Sequence, residues 1–239
     1  AQATRDLAKT LRNEVLGKVR LGTSSDPLFI RVGEFLSAQI RKHPMLQVEL
    51  QQTVTGAAFS KVLDGELDAA FYYGDVRHPA MGGLPLRTSI YRVAAAAAWA
   101  SRLRGASWNQ LAPLPWIIAP SISSHYKLVH GLFAKYGTSP AEVVEANQES
   151  LIVTLVCAGI GLSLVREDLA LEKQASGEMC LWGEEGLESR LWFIYPLARE
   201  ADPVIRALLD VLREIWNIGA EQKIEPRGAK SGAAALRRS

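Results

Sequence analysis

Residues 17–73, GKVRLGTSSDPLFIRVGEFLSAQIRKHPMLQVELQQTVTGAAFSKVLDGELDAAFYY, decide the fold. KVRLG at 18–22 has the apolar character of a short strand. Leu28, Val32, Phe35 and Leu36 share one helical face, and His43-Pro44 stops that helix. LQVELQQ at 46–52 alternates as a strand does. Residues 56–64 fit a second helix, which Gly65 breaks, and LDAAFYY at 67–73 is an apolar strand. The order β-α-β-α-β is that of a parallel sheet with crossover helices.

Working outward, the same alternation returns. YRVAAAAAW at 91–99 reads as a strand, SWNQLAPL as a short helical piece and WIIA at 116–119 as a strand. Ser123–Tyr136 is a helix with Leu128, Val129, Leu132, Phe133 and Tyr136 on one face. VVEA at 143–146, a buried helix at 150–159, GLSLV at 161–165 and RLWFIYP at 190–196 follow. Val204, Leu208, Val211, Leu212 and Ile215 mark a last amphipathic helix. Two α/β lobes are implied, 17–90 with 192–218 and 91–191, joined by a hinge of two strands near 88–92 and 188–192. Upstream, Leu7, Leu11 and Val15 fall four apart in residues 1–16. This stretch reads as the end of a helix closed by Gly17, so the sequence is expected to begin partway through a longer protein. Residues 219–239 lose all periodicity and are expected to be disordered.

The bulk numbers exclude several classes. The 239 residues are 48% hydrophobic and 22% charged, and 27 basic against 25 acidic residues leave +2. That balance makes no electrostatic case for nucleic-acid binding by this chain. Part of the basic excess sits in the last thirteen residues, where Arg227, Lys230, Arg237 and Arg238 meet no acid. Two cysteines, Cys157 and Cys180, are too few for a zinc site and mark no disulfide framework. No signal segment opens the chain and no apolar run is long enough to span a membrane, VAAAAAWA included. A cytoplasmic protein is expected, with a secreted protein already stripped of its signal as the alternative.

Three strand-to-helix turns carry hydroxyls. In TSSDP, Asp26 suits an N-cap and Pro27 the first helical position, leaving Ser24 and Ser25 beside them. PSISSHYK places Ser121, Ser123 and Ser124 at a second turn, and TVTGAA places Thr55 at a third. Singly, each is a plain cap. Together, split between two lobes, they suit a cleft for a small carboxylate, because unpaired amides and the helix dipole favour negative charge there. Other motifs lead nowhere. GIG at 159–161 lies between a helix and a strand, the reverse of a dinucleotide turn. GLSLV lacks the second glycine of a nucleophile elbow around Ser163. Asp64, Glu66 and Asp68 in LDGELD read as surface acids at a helix end. His43, His78, His125 and His130 show no metal-ligand spacing; His125 is expected to face solvent, with contact to a ligand at the nearby serines as the alternative.

GKVRLG after a helix end, a helix closing in RKHP, LQVELQQ, KVLDGELDAAF and then ESLIVTLVCAGIGLSLV resemble, in that order, the effector-binding domain of LysR-type transcriptional regulators. The resemblance runs from Gly17 to Trp216. It implies a two-lobed, type II periplasmic-binding-protein-like fold, a winged helix-turn-helix missing from this sequence, and assembly as a dimer or tetramer that meets promoter DNA through that missing part. It further implies effector contacts at Ser24 and Ser25, Thr55, and Ser121, Ser123 and Ser124, with Ile160 and Gly161 nearby. Many members have glycine where Val54 stands, which puts Thr55 in doubt. The expected function is sensing of a small anionic metabolite, with no catalysis, cofactor or metal. One alternative is a solute-binding receptor of a transport system with the same fold. Another is a dehydratase or decyclising enzyme on the same scaffold, for which Glu34, Asp75 and His125 are the candidate acids and bases.

Overall fold

The computed structural model describes residues 15–23 and 26–219. The expected helix over 1–16 and disordered tail over 219–239 fall almost wholly outside them, and Val15 and Leu16 are not helical. Gly17 caps no helix here; it opens the first strand, paired with Leu46.

The chain alternates β1 (Gly17–Thr23), α1 (Val32–Lys42), β2 (Leu46–Gln52), α2 (Thr55–Leu63), β3 (Ala69–Tyr73) and β4 (Met81–Ala96). Two short helices, α3 (Ala100–Leu103) and α4 (Trp108–Leu111), precede β5 (Pro115–Ile118), α5 (Ser124–Lys135), β6 (Ala141–Glu145) and α6 (Glu149–Cys157). Then come β7 (Ser163–Arg166), α7 (Glu167–Ala175), β8 (Met179–Pro196) and α8 (Pro203–Ile215). One sheet has the order β2-β1-β3-β8-β4-β7, with β1 parallel to β2 and β3, and β8 and β4 antiparallel to their neighbours. β5 and β6 form a second, parallel pair. It is tied to β7 through the Trp116–Leu162 bridge, where Ile117 N donates to Leu162 O and Leu162 N to Pro115 O, both at 2.8 Å.

β4 and β8 are longer than the sequence suggests. They pair from Met81–Pro196 to Ala96–Met179 and run through both halves of the molecule. Pro85, which bounds the expected 91–99 strand on its N-terminal side, and the Gly183–Gly186 segment coincide with register shifts at Pro85/Arg87 and Tyr91/Val93. A bulge tolerates a residue that cannot donate to the ladder, so the strand continues past it. The alanine run ends its strand at Ala96, and 97–103 turn helical, as alanine prefers.

Each half has its own core. In the first, α1 and α8 cover the sheet, so Phe35 meets Phe71 and Phe193, with Leu21, Ile205, Leu208 and Leu212 around them. Edge-to-face rings such as Phe71 and Phe193, 5.4 Å apart, add attraction to burial. In the second, Trp108, Trp116, Phe133, Leu111 and Leu162 pack together. α8 starts on an Asp202 cap, whose Oδ1 accepts from Val204 N at 2.8 Å, with Pro203 at the first position.

Two local readings need correction. Helix α1 begins at Val32, not Pro27, because Arg31 takes a left-handed conformation at φ 53°. Residues 27–31 form a separate turn, and Leu28 swings out, 89% exposed. Asp68 is no surface acid. It accepts from Arg20 N at 2.8 Å, Arg20 Nε at 3.1 Å and Arg199 Nη1 at 2.6 Å, clasping β1 to the start of β3. Its carboxyl sits below the usual range: burial pushes it up, and the bonds from Arg20 and Arg199 outweigh that.

Candidate functional site

A cavity of about 270 Å³ opens where the carboxyl ends of β1, β2, β3, β5 and β6 converge, the usual ligand position in open α/β sheets. Three helices start on its wall: α2 at Val54 and Thr55, α5 at Ser123 and Ser124, α6 at Gln148 and Glu149. The first amides of a helix lack intrahelical partners, so these mouths carry partial positive charge. Gln52, Tyr73, Tyr91, Asn147 and His125 add further polar groups.

The halves meet around this cavity. Ser124 Oγ donates to Thr55 Oγ1 at 3.5 Å. Gly56 lies so close to the Ile122 carbonyl that a Cβ there would stand 1.9 Å from its oxygen. Asp26 does two jobs: Oδ1 accepts from Phe29 N at 3.0 Å, capping the 27–31 turn, and Oδ2 accepts from Arg166 Nη2 at 2.7 Å, 140 residues away. Arg166 ends β7 and is buried, its side chain 4% exposed. The same guanidinium donates to Glu149 Oε2 at 2.8 Å and to Asp168 Oδ1 at 2.6 Å, and stacks 3.8 Å from the Phe29 ring. Three carboxylates thus share one cation. Burial raises the Glu149 carboxyl to about 7; Arg166 pulls it down, and the charges of Asp26 and Asp168 push it up. Its Oε1 is enclosed and has no hydrogen-bond partner. Tyr91, packed against the same cluster, is held well above its ordinary value by burial first and Glu149 second.

Of the residues singled out in the sequence, Thr55, Ser123 and Ser124 line the cavity. Ser123 is the N-cap of α5, its Oγ accepting from His125 N at 3.1 Å. Val54 takes an ordinary extended conformation, φ −69° and ψ 144°, so no glycine is needed to present Thr55. Ser24 and Ser25 lie outside the described residues. Ser121 is exposed and off the wall. Ile160 and Gly161 are not brought here; they sit at the amino end of β7, where a Cβ on Gly161 would meet Pro115 O at 2.6 Å. Gly161 is therefore a packing glycine.

Among the candidate acids and bases, Glu34 pairs with Arg31 and Asp75 with Arg77, both exposed and off the cavity wall. His125 lines the cavity instead of facing solvent, its Nε2 2.9 Å from Leu164 O. Burial lowers its pKa, with the bond to Leu164 opposing that, and since a carbonyl only accepts, Nε2 is the donor in that bond. Among the described residues, no group of three or more His, Cys, Asp or Glu is placed to hold a metal ion. Asp26, Glu149 and Arg166 are the residues that sequence reasoning missed as a unit. Their one signal is that each marks a junction: an arginine closing an apolar strand, and acids opening helices or turns.

Known proteins share this fold. The family described as LysR substrate binding domain matches residues 12–217. The transcriptional regulator BenM of Acinetobacter baylyi is 28% identical over 155 residues, 62% of this chain and 50% of BenM, so the match spans half that relative's length. The regulatory domain of Synechocystis PCC6803 CcmR in complex with 2-PG has a TM-score of 0.70 at 17% identity, covering 84% of this chain and 98% of that one. The effector-binding domain of QuiR in complex with shikimate gives 0.69 at 17%, covering 85% and 98%. The two structures match the architecture of paired lobes, and the sequence match runs through every element lining the cavity: the chain belongs to the LysR substrate-binding domain family.

Proposed function

We propose that this chain is the ligand-sensing domain of a LysR-type transcriptional regulator and that its effector binds in the cavity between the halves. The division into lobes follows the hinge strands, 17–90 with 192–218 against 91–191. In this reading Thr55, Ser123 and Ser124 contact the effector, and Ser24 and Ser25 stay candidate contacts from the sequence alone. The observation that carries this reading is the convergence of three helix starts from both halves on one cavity, with Asp26 and Arg166 joined across it. Such a site binds better when the halves are together, so ligand shifts the population toward closure. In the cell that shift alters how a dimer or tetramer holds promoter DNA through a part of the protein outside these residues. BenM and CcmR are regulators by name, which favours this role over a transport receptor, and His125, both ring nitrogens bonded to backbone, favours binding over catalysis. Among the described residues no helix is long and apolar enough to cross a membrane, and we place the protein in the cytoplasm.

The test is a thermal-shift screen of small metabolites followed by calorimetry. Ligands of the folded state raise its melting temperature, and Thr55→Ala and Ser124→Ala weaken the best one at least tenfold. Unchanged affinity in both variants would remove the cavity as the effector site.

A further inference from the structure

The cavity's charge balance names the kind of ligand it takes. Among the described residues its wall holds two carboxylates, Asp26 and Glu149, and no lysine or arginine. Arg166 stands beside them, already divided among Asp26, Glu149 and Asp168. With all three ionised, one positive charge faces three negative ones. Glu149 Oε1 is enclosed and without a donor, so a ligand does not touch it, but a positive charge in the cavity beside the carboxylate lowers the cost of burying it. Burial first, and the charges of Asp26 and Asp168 after it, raise the Glu149 carboxyl to about 7 against the pull of Arg166. On another part of the wall the balance is reversed. The hydroxyls of Thr55 and Ser124 and the starts of α2 and α5 gather partial positive charge with no carboxylate among them.

A simple anion suits the helix starts but meets the Asp26–Glu149 wall with a like charge. A plain amine suits the acids and leaves the helix starts unused. We propose that the cavity takes a small zwitterion of the amino-acid class, its carboxylate at the starts of α2 and α5 and its ammonium beside Asp26 and Glu149. This rests on the reading of the cavity as the effector site, and it replaces the anionic metabolite expected from the hydroxyl-rich turns alone. At about 270 Å³ the cavity falls just under the range for drug-sized ligands, as a molecule of that class requires.

The experiment uses the full chain and three matched panels at pH 7.5: the protein amino acids, their 2-hydroxy-acid counterparts and their amides. Melting shifts choose the binders and calorimetry measures them. At least one amino acid binds, and its hydroxy acid and amide are each at least tenfold weaker. Glu149→Gln and Asp26→Asn, near-isosteric and still able to accept from Arg166, each cut the amino-to-hydroxy selectivity at least tenfold. A hydroxy acid binding as tightly as its amino acid, unchanged selectivity in both variants, or no binding amino acid at 10 mM overturns the proposal. If a nitrogen-free acid binds and Ser124→Ala weakens it, the cavity stands and the zwitterion falls. If an amino acid binds with no response to Thr55→Ala or Ser124→Ala, the cavity itself falls, and the zwitterion with it.

Discussion

Replacing Gly56 with alanine sets two effects of opposite sign against each other. Gly56 is the second residue of α2 and does not have a left-handed backbone. In isolation, alanine stabilises a helix by about 0.5–1 kcal/mol over glycine. Across the cleft, however, the added Cβ stands 1.9 Å from Ile122 O, and Cβ atoms essentially never come closer than 3.0 Å. The contact is backbone against backbone, so no side chain can turn away, and the halves must part by at least about 1.1 Å at that point. Parting stretches the Ser124–Thr55 bond, already 3.5 Å, and loads the Asp26–Arg166 pair. Overpacking of this kind costs about 1–3 kcal/mol, which outweighs the helix gain. Gly56→Ala is therefore expected to be about 1 kcal/mol less stable in urea, with faster amide exchange over 54–58 and 120–126. A variant more stable than wild type, with exchange unchanged in both segments, would refute the closed contact.

Three further outcomes follow from the charged groups. Glu149 is raised to about 7 in the fold, so its ionisation costs stability as pH rises from about 4.3, where the unfolded chain ionises, to about 7. With a side chain 21% exposed, that cost is of order 2–3 kcal/mol; Glu149→Gln should match wild type in urea at pH 4 and exceed it at pH 8. Arg166→Met leaves three acids without their cation and should lose about 3–5 kcal/mol, part of which a second change, Glu149→Gln, restores. Asp68 has a lowered carboxyl and a side chain 12% exposed, so its stabilisation is present above about pH 4 and fades as pH falls. Asp68→Asn should lose about 1–3 kcal/mol at pH 7, with the gap narrowing in acid melts below pH 4.

Elements with unbroken periodicity were legible in the sequence: α5, α6, α8, β2 and β3 fall within a few residues of where their apolar spacing puts them. Misreadings arose where one residue's backbone overrode the pattern. Arg31 in the left-handed region detaches Leu28 from the α1 stripe, and the bulge at Pro85 lets β4 continue through what looks like a breaker. The candidate site divides the same way. Thr55, Ser123 and Ser124 were legible because a hydroxyl at a strand-to-helix turn is a local feature. The Arg166 cluster was not, because its charge pairing joins residues 140 apart, and spacing within one sequence holds no record of that. Ile160 and Gly161 lie off the cavity wall; adjacency to a buried strand does not say at which end of the strand the cavity opens.

How closure works depends on where bending costs least and on what holds the bent state. β4 and β8 pair in unbroken register through Thr88–Arg190, Ser89–Ser189 and Ile90–Glu188, and slip on either side, at Pro85/Arg87 and Tyr91/Val93. A bulge has already given up ladder bonds and bends its strand, so the closure we propose would bend at these two points while the middle stays paired. What closure gains is set by charge. Asp26 comes from the first half into a site where Glu149 and Asp168 already share Arg166. Closing therefore makes one ion pair and adds a third negative charge beside two others. In the proposed reading a ligand ammonium relieves that repulsion only when the halves are together, and so would bind the closed arrangement better than an open one. Each 1.4 kcal/mol of that difference, roughly, is a tenfold shift in the ratio of closed to open. A hydroxy acid makes the same contacts at the helix starts without that relief, and for it the two arrangements stay closer in affinity.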